Sequence, residues 1–421
     1  MTSNKAHAGT RPSAPGEERR TLAAAGSAHI LHDGYTDLLY LLLPIWQAEF
    51  GLGYAEVGLL RSSYTGVMAA LQIPAALLAE RCGPVLLLVA GTLVSALAFL
   101  LAGASLGLVS LLLVLVLGGI GASVQHPIGS SLVSAAFSGA RSRTALGVYN
   151  FTGDLGKMAM PLLAALLLST MPWRSALWVL GGLGIACAVL VLALAPAQAN
   201  ASRRDDEAVA PLRAAASAAE VPSRQGFLLL LAIAMIDSAG RSGFLTFLPF
   251  LLKAKEASIA SIGSALSLLF VGGAAGKLVC GYLGARVGLF NTVLLTEGLT
   301  AIGIIALIPL PMAGAFMLMP LLGIGLNGTS SALYGTVPEL VAPARRTRAF
   351  GIFYTGAIAA SAAMPPLIGL IGDGFGVATA MGLIAVAVLS TVPLAALLVP
   401  MLPTSRRSAL EARGDGGGCG H

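Results

Sequence analysis

The 421-residue chain is 56% hydrophobic and 10% charged, with a mean hydropathy of +0.86. A soluble domain carries about 25% charged residues, so a chain this poor in charge cannot cover a water-facing surface, and a soluble globular fold is excluded. The formal net charge of +6 does not indicate a nucleic-acid partner, because the basic residues cluster in short segments between apolar runs, the pattern that orients a membrane protein.

Residues 1–20 are polar and lack the apolar core of a secretory signal. Residues 1–21 are therefore expected to form a disordered cytoplasmic N-terminus, with the first apolar run retained. Twelve runs follow, near 22–48, 55–79, 84–104, 107–136, 143–170, 174–196, 226–252, 258–283, 289–309, 312–340, 347–372 and 376–401. Each is long enough for a hydrocarbon core of ~30 Å, which needs ~20 helical residues. They do not alternate as barrel strands would. All are predicted to be helices, since lipid leaves the backbone no other hydrogen-bond partner. The expected architecture is an all-α polytopic membrane protein with six-helix halves at 22–197 and 226–404. Residues 198–225, with Arg203-Arg204-Asp205-Asp206-Glu207, read as a cytoplasmic linker, and 405–421 as a disordered cytoplasmic tail. Most of the 25 Lys and Arg residues then fall on one side, with Arg174, Lys253 and Lys255 opposite. That bias places both termini in the cytoplasm and the chain in the inner (plasma) membrane. Cys82, Cys187, Cys280 and Cys419 form no CxxC pair and read as structural thiols. No cofactor or bound metal is implied, and a monomer is the expected state.

In the first run His29, Asp33, Asp37 and Tyr40 share one helix face, with His32 beside them. A charge at the bilayer centre costs about 2.5–3.5 kcal/mol even on the lenient insertion scale. Asp33, Asp37 and His29 are therefore assigned to binding and releasing a driving proton. Arg61 follows in span two. In span four Gly118-Gly119-Ile120-Gly121 precedes Gln125, His126 and Pro127: the glycines allow close helix approach, the proline kinks the helix, and Gln125 and His126 offer polar groups to a cavity. Span five carries Asn150, Asp154 and Lys157, the last two one turn apart and able to pair. Asp237 and Arg241 form a similar pair in span seven, and Lys277 lies in span eight. Arg61, Gln125, His126, Asn150, Asp154, Lys157, Asp237, Arg241 and Lys277 are assigned to substrate binding. Four intramembrane cations lining one cavity would draw in an anion. Glu297 in span nine has no assigned role and is expected to face outward, protonated or peripherally paired.

The second half repeats the first. Pro44, Arg81 and Gly83 recur 205 residues on as Pro249, Arg286 and Gly288, and Gly119, Gly121, Gly147, Met160 and Pro161 recur 204 on. Such duplications are typical of transporters whose halves rock about a central site. Ala76-Leu-Leu-Ala-Glu80-Arg81-Cys-Gly83 resembles the G-x-x-x-D-R-x-G-R loop of the major facilitator superfamily, and Gly281 to Gly288 is its echo. The resemblance implies a gating role for Glu80, Arg81, Gly83, Arg286 and Gly288. His29-x-x-x-Asp33, Pro44-x-x-Gln47-x-Glu49-Phe50, Gly119-x-Gly121-x-Ser123-x-x-His126-Pro127 and Gly153-x-x-Gly156 resemble that superfamily's fosmidomycin-resistance branch. This implies export of an anionic compound by proton antiport, without enzymatic activity; Asp154 and Lys157 depart from the branch in carrying charge. Two rivals are a divalent-metal transporter using His29, His32, Asp33, Asp37 and His126, whose ligand types suit a metal, and a membrane enzyme using Asp33 or Asp37 as acid–base group. Against the enzyme, Ser238 and Ser242 stand where the duplication would repeat the acids.

Overall fold

A computed structural model describes residues 15–195, 223–342 and 345–402. Among the described residues twelve helices cross the molecule: α1 (Pro15–Phe50), α2 (Tyr54–Cys82), α3 (Pro84–Ala102), α4 (Leu108–Ala136), α5 (Arg141–Thr170), α6 (Trp173–Leu194), α7 (Arg224–Lys253), α8 (Ile259–Cys280), α9 (Arg286–Leu307), α10 (Met312–Leu340), α11 (Arg348–Phe375) and α12 (Val377–Met401). Eleven are long and apolar enough to span a bilayer. The remaining one, α1, spans 36 residues, about 54 Å at 1.5 Å per residue, and hides its polar groups inside the bundle. They form two pseudo-symmetric six-helix halves.

The structure changes three boundaries. Residues 15–21, expected to be disordered, are the first turns of α1. α7 begins at Arg224, inside the expected linker; the rest of that linker and the tail from Ser405 lie outside the described residues. Between α8 and α9 the expected loop is a sharp corner at Gly288, with φ 79°. Its counterpart Gly83 has φ 90° and separates α2 from α3. Both sit in the left-handed region where glycine alone is unstrained, so the repeated glycine makes the same corner twice. In α4 the helix is interrupted at Ser123–Val124, just ahead of Pro127, whose ring removes one backbone donor.

Small residues decide how closely α1 and α5 approach. A methyl group on Gly156 would lie 2.0 Å from the Ile30 carbonyl, and one on Gly153 would lie 2.5 Å from His29 Nε2 and 2.7 Å from Asp33 Oδ2. The two halves meet along α2 with α11 and α5 with α8. Asp373 at the end of α11 accepts from the backbone N–H of Tyr54 (2.7 Å) and Ala55 (3.0 Å), placing a carboxylate on the positive end of the α2 dipole. Ser62 donates to the Ala362 carbonyl, Lys253 to that of Pro44 and Ser267 to that of Met158. These contacts run from the α1–α2 turn to mid-bundle, on the side away from the chain termini. On the terminus side Gly147, Gly335 and Gly351 face open space.

Candidate functional site

Asp33 stands 18 residues into α1, about 27 Å along it, and is the centre of a polar junction. Its carboxylate lies 3.3 Å from Lys157 Nζ on α5, 3.4 Å from His29 Nε2 and 3.6 Å from His126 Nε2 on α4. Asp33 is 7% exposed and His29 3%, while the side chains of Lys157 and His126 are 30% and 45% exposed. The acid is therefore sealed behind a cation and an imidazole that reach open volume. His29 Nδ1 sits 2.9 Å from the Tyr149 carbonyl, and its ring stacks on Tyr149. A carbonyl only accepts, so Nδ1 carries a hydrogen and neutral Nε2 would be a bare acceptor facing a carboxylate. The contact becomes attractive when a proton resides on either partner.

One turn on, Asp37 lies 4.0 Å from Arg61. Arg61 is buried, donates to the Thr36 carbonyl (2.7 Å) and the Tyr40 hydroxyl (2.8 Å), and lies over the Tyr40 ring. The structure turns this cation onto α1, so Arg61 braces α1 against α2. Gln125 is buried and donates to the Tyr149 hydroxyl at 3.1 Å, one contact behind His29. Asn150 is exposed.

The pairing read from spacing is replaced by pairing between helices. Asp154 does not pair with Lys157; it takes Lys277 of α8 at 2.5 Å, and Lys157 goes to Asp33. The i, i+3 spacing permits an ion pair, but helices α1 and α8 bring better-placed partners. The Asp154–Lys277 bridge joins the two halves at the edge of their contact, and Lys277 remains 41% exposed. Arg241 donates to Ser330 Oγ at 3.2 Å and makes no ion pair among the described residues. Asp237 is buried and faces Glu297. Glu297 does not face outward as expected: it is 2% exposed, inside the C-terminal half. Asp373 was missed by sequence reasoning, since an acid at the end of an apolar run gives no sign of which helix it caps. Glu80, Arg81 and Arg286 are exposed; Arg286 lies over the Tyr282 ring, and Glu80 and Arg81 make no ion pair among the described residues.

The donor atoms of His29, Asp33 and His126 lie within 4.8 Å of one another, suitable in type for a divalent metal. Lys157 already supplies a positive charge 3.3 Å from the Asp33 carboxylate, which a metal would otherwise bring. His32 is not part of the group: it faces α3 and bonds Thr92 Oγ1 at 3.0 Å. Asp37 is held by Arg61.

A family model, the Major Facilitator Superfamily, matches residues 26–326 and 230–417. The chain is 26% identical over 406 residues to a probable 4-methylmuconolactone transporter of Cupriavidus pinatubonensis, covering 95% of this chain and 94% of that one. It is 28% identical over 187 residues to the fosmidomycin resistance protein of Escherichia coli, covering 41% and 42%. Among solved structures it is similar to a bacterial homolog of the human lysosomal transporter Spinster in an inward-facing conformation, with TM-score 0.73, 16% identity, and coverage of 95% of this chain and 99% of that one.

Proposed function

The chain belongs to the major facilitator superfamily, and from that premise we propose that it is a proton-coupled transporter that exports a small organic anion by alternating access. The observation that carries this reading is the Asp33 junction. One sealed carboxylate meets two imidazoles and an ammonium, so the Asp33 carboxylate and an arriving anion compete for the same positive groups. In the exchange, the anion and the proton occupy the junction in alternate states, and the anion is held by Lys157, Lys277 and His126 while Asp33 carries no proton. After the anion leaves outside, Asp33 takes a proton and carries it back, and Lys157 expels it on the inner side by closing on the carboxylate again. A ligand that binds one protonation state better shifts the balance between conformations.

Alternating access rests on the two halves, joined on the side away from the termini and open on the terminus side. The Asp373 cap on α2 belongs to the closed side, and the Glu80-Arg81 and Arg286 loops would latch the other when it closes. The charge bias supports an orientation with both termini in the cytoplasm, and the resemblance to the fosmidomycin-resistance branch supports export.

A divalent-metal cargo is the second reading, favoured by the donor set of His29, Asp33 and His126. Lys157 weighs against it. The test is pH-gradient-driven transport in inside-out vesicles, offering phosphonates and carboxylates, then organic cations, then divalent metals. Proton movement on adding an anion, lost in Asp33→Asn, supports the reading. A response confined to metals, or unchanged transport in Asp33→Asn, overturns it.

A further inference from the structure

The intramembrane acids left outside the Asp33 junction and its bridges are Asp237 on α7 and Glu297 on α9. Each sits near the middle of its helix, 13 residues into α7 and 11 into α9, and they are 4% and 2% exposed. Their carboxyl groups face each other, and Glu297 also faces Thr329 of α10. Two buried carboxylates facing each other repel, and burial disfavours both charges, so the pair favours holding one proton between them. A separate observation points the same way. Glu297 Oε1 is fully buried with no donor among the protein groups around it. A buried acceptor left without a donor is costly, and the one ligand small enough for a site this closed is a proton.

The pseudo-symmetry locates the pair. Gly121 packs on Ser95 and the Gly91 carbonyl, and its repeat Gly325 packs on Thr300 and the Thr296 carbonyl, so the 205-residue offset holds through α3 and α9. By that offset Asp237 stands where His32 stands, and Glu297 where Thr92 stands. In the N-terminal half these positions make a neutral bond, His32 Nε2 to Thr92 Oγ1 at 3.0 Å. The C-terminal half keeps the contact and replaces both partners with acids. A neutral pair there suffices for packing, so two acids at the same place add a proton requirement that the fold itself does not impose.

We propose that Asp237 and Glu297 hold one proton between them and form a second proton-binding site, in the C-terminal half, separate from the Asp33 junction. The facing charged and titratable groups are Arg241 on α7 and Tyr334 on α10, itself stacked on Tyr354 of α11. With the shared proton the two acids carry one negative charge, which Arg241 balances. Loss of the proton to water leaves a second, uncompensated negative charge in a buried site.

Infrared spectroscopy of the reconstituted full chain tests this without any substrate. In the Asp33→Asn background, which empties the other site, a protonated-carboxyl C=O band that shifts in D2O is expected. It should vanish in Glu297→Gln, and in the double variant Asp237→His with Glu297→Thr, which installs the N-terminal half's own pair and preserves packing if Glu297→Gln fails to fold. Proton release from detergent-solubilised protein on an alkaline pH step, read with a pH indicator, should fall by one proton per chain in the same variants. A band that survives both substitutions, or an unchanged proton count, overturns the proposal. Loss of substrate-driven proton movement alone does not bear on it, so failure of the transport reading and failure of this one are distinguishable.

Discussion

The two halves of this molecule share a backbone plan and differ in where they keep their charge. In the N-terminal half the polar groups of α1, α4 and α5 converge on Asp33 and open toward the space between the halves. In the C-terminal half the matching positions are emptied: His29 becomes Ala234, Asp33 becomes Ser238, Asp37 becomes Ser242 and Lys157 becomes Ser361. Its charge moves one residue round α7, to Asp237 and Arg241, and faces α9 and α10 within that half. Duplication thus conserved the helices and corners while the chemistry diverged. The repeated glycine corner at Gly83 and Gly288 illustrates the first point, and His32–Thr92 against Asp237–Glu297 the second.

The largest expected effect breaks this comparison at its centre. Asp33→Asn removes the acid that Lys157, His29 and His126 share, and gradient-driven transport should drop to vesicle background while expression and helicity persist. Next is Gly153→Ala. Its added methyl would meet His29 and Asp33 at under 3 Å, an overpacking that costs about 1–3 kcal/mol, so thermal stability and transport should both fall. Its repeat is already alanine, Ala357, and Ala357→Gly should cost no more than about 1 kcal/mol by helix propensity and leave transport intact. Equal transport defects in the two variants would show that the halves are functionally alike.

Smaller effects concern the contact between halves. Asp373→Ala removes the cap from α2 at a cost of about 1 kcal/mol. It should raise the labelling rate of a cysteine placed beside Tyr54, reporting a looser closed side. Smallest is the Asp154–Lys277 bridge, whose partly exposed partners contribute up to about 1 kcal/mol. Asp154→Asn should shift the same labelling modestly, and Asp154→Lys combined with Lys277→Asp should restore it. Failure of the exchanged pair to restore closure would mean that these residues act through the substrate instead of through each other.

Much of the fold was legible before any coordinates. Twelve apolar runs, a break near 200 and one repeated glycine corner follow from composition and spacing, because lipid permits so few backbone solutions. The face shared by His29 and Asp33 was legible too, since four residues make about one helical turn. The partners were not. Spacing along one helix matched Asp154 with Lys157 and Asp237 with Arg241, and neither is the ion pair that forms. The position of Glu297 was hidden for the same reason, although its offset of 205 from Thr92 was available and, joined to the His32–Asp237 correspondence, would have pointed to the pair.

The sequence by itself therefore determined the solvent this protein lives in, the number of its helices, its internal duplication and the helix that carries its central acid. Hydrophobic length, backbone self-satisfaction and periodicity are local properties, and local properties can be read along a chain. Only the tertiary structure decided which charges meet, because a buried ion chooses its partner by distance and desolvation across helices. The three-dimensional packing put Lys157 on Asp33, Lys277 on Asp154 and Glu297 against Asp237.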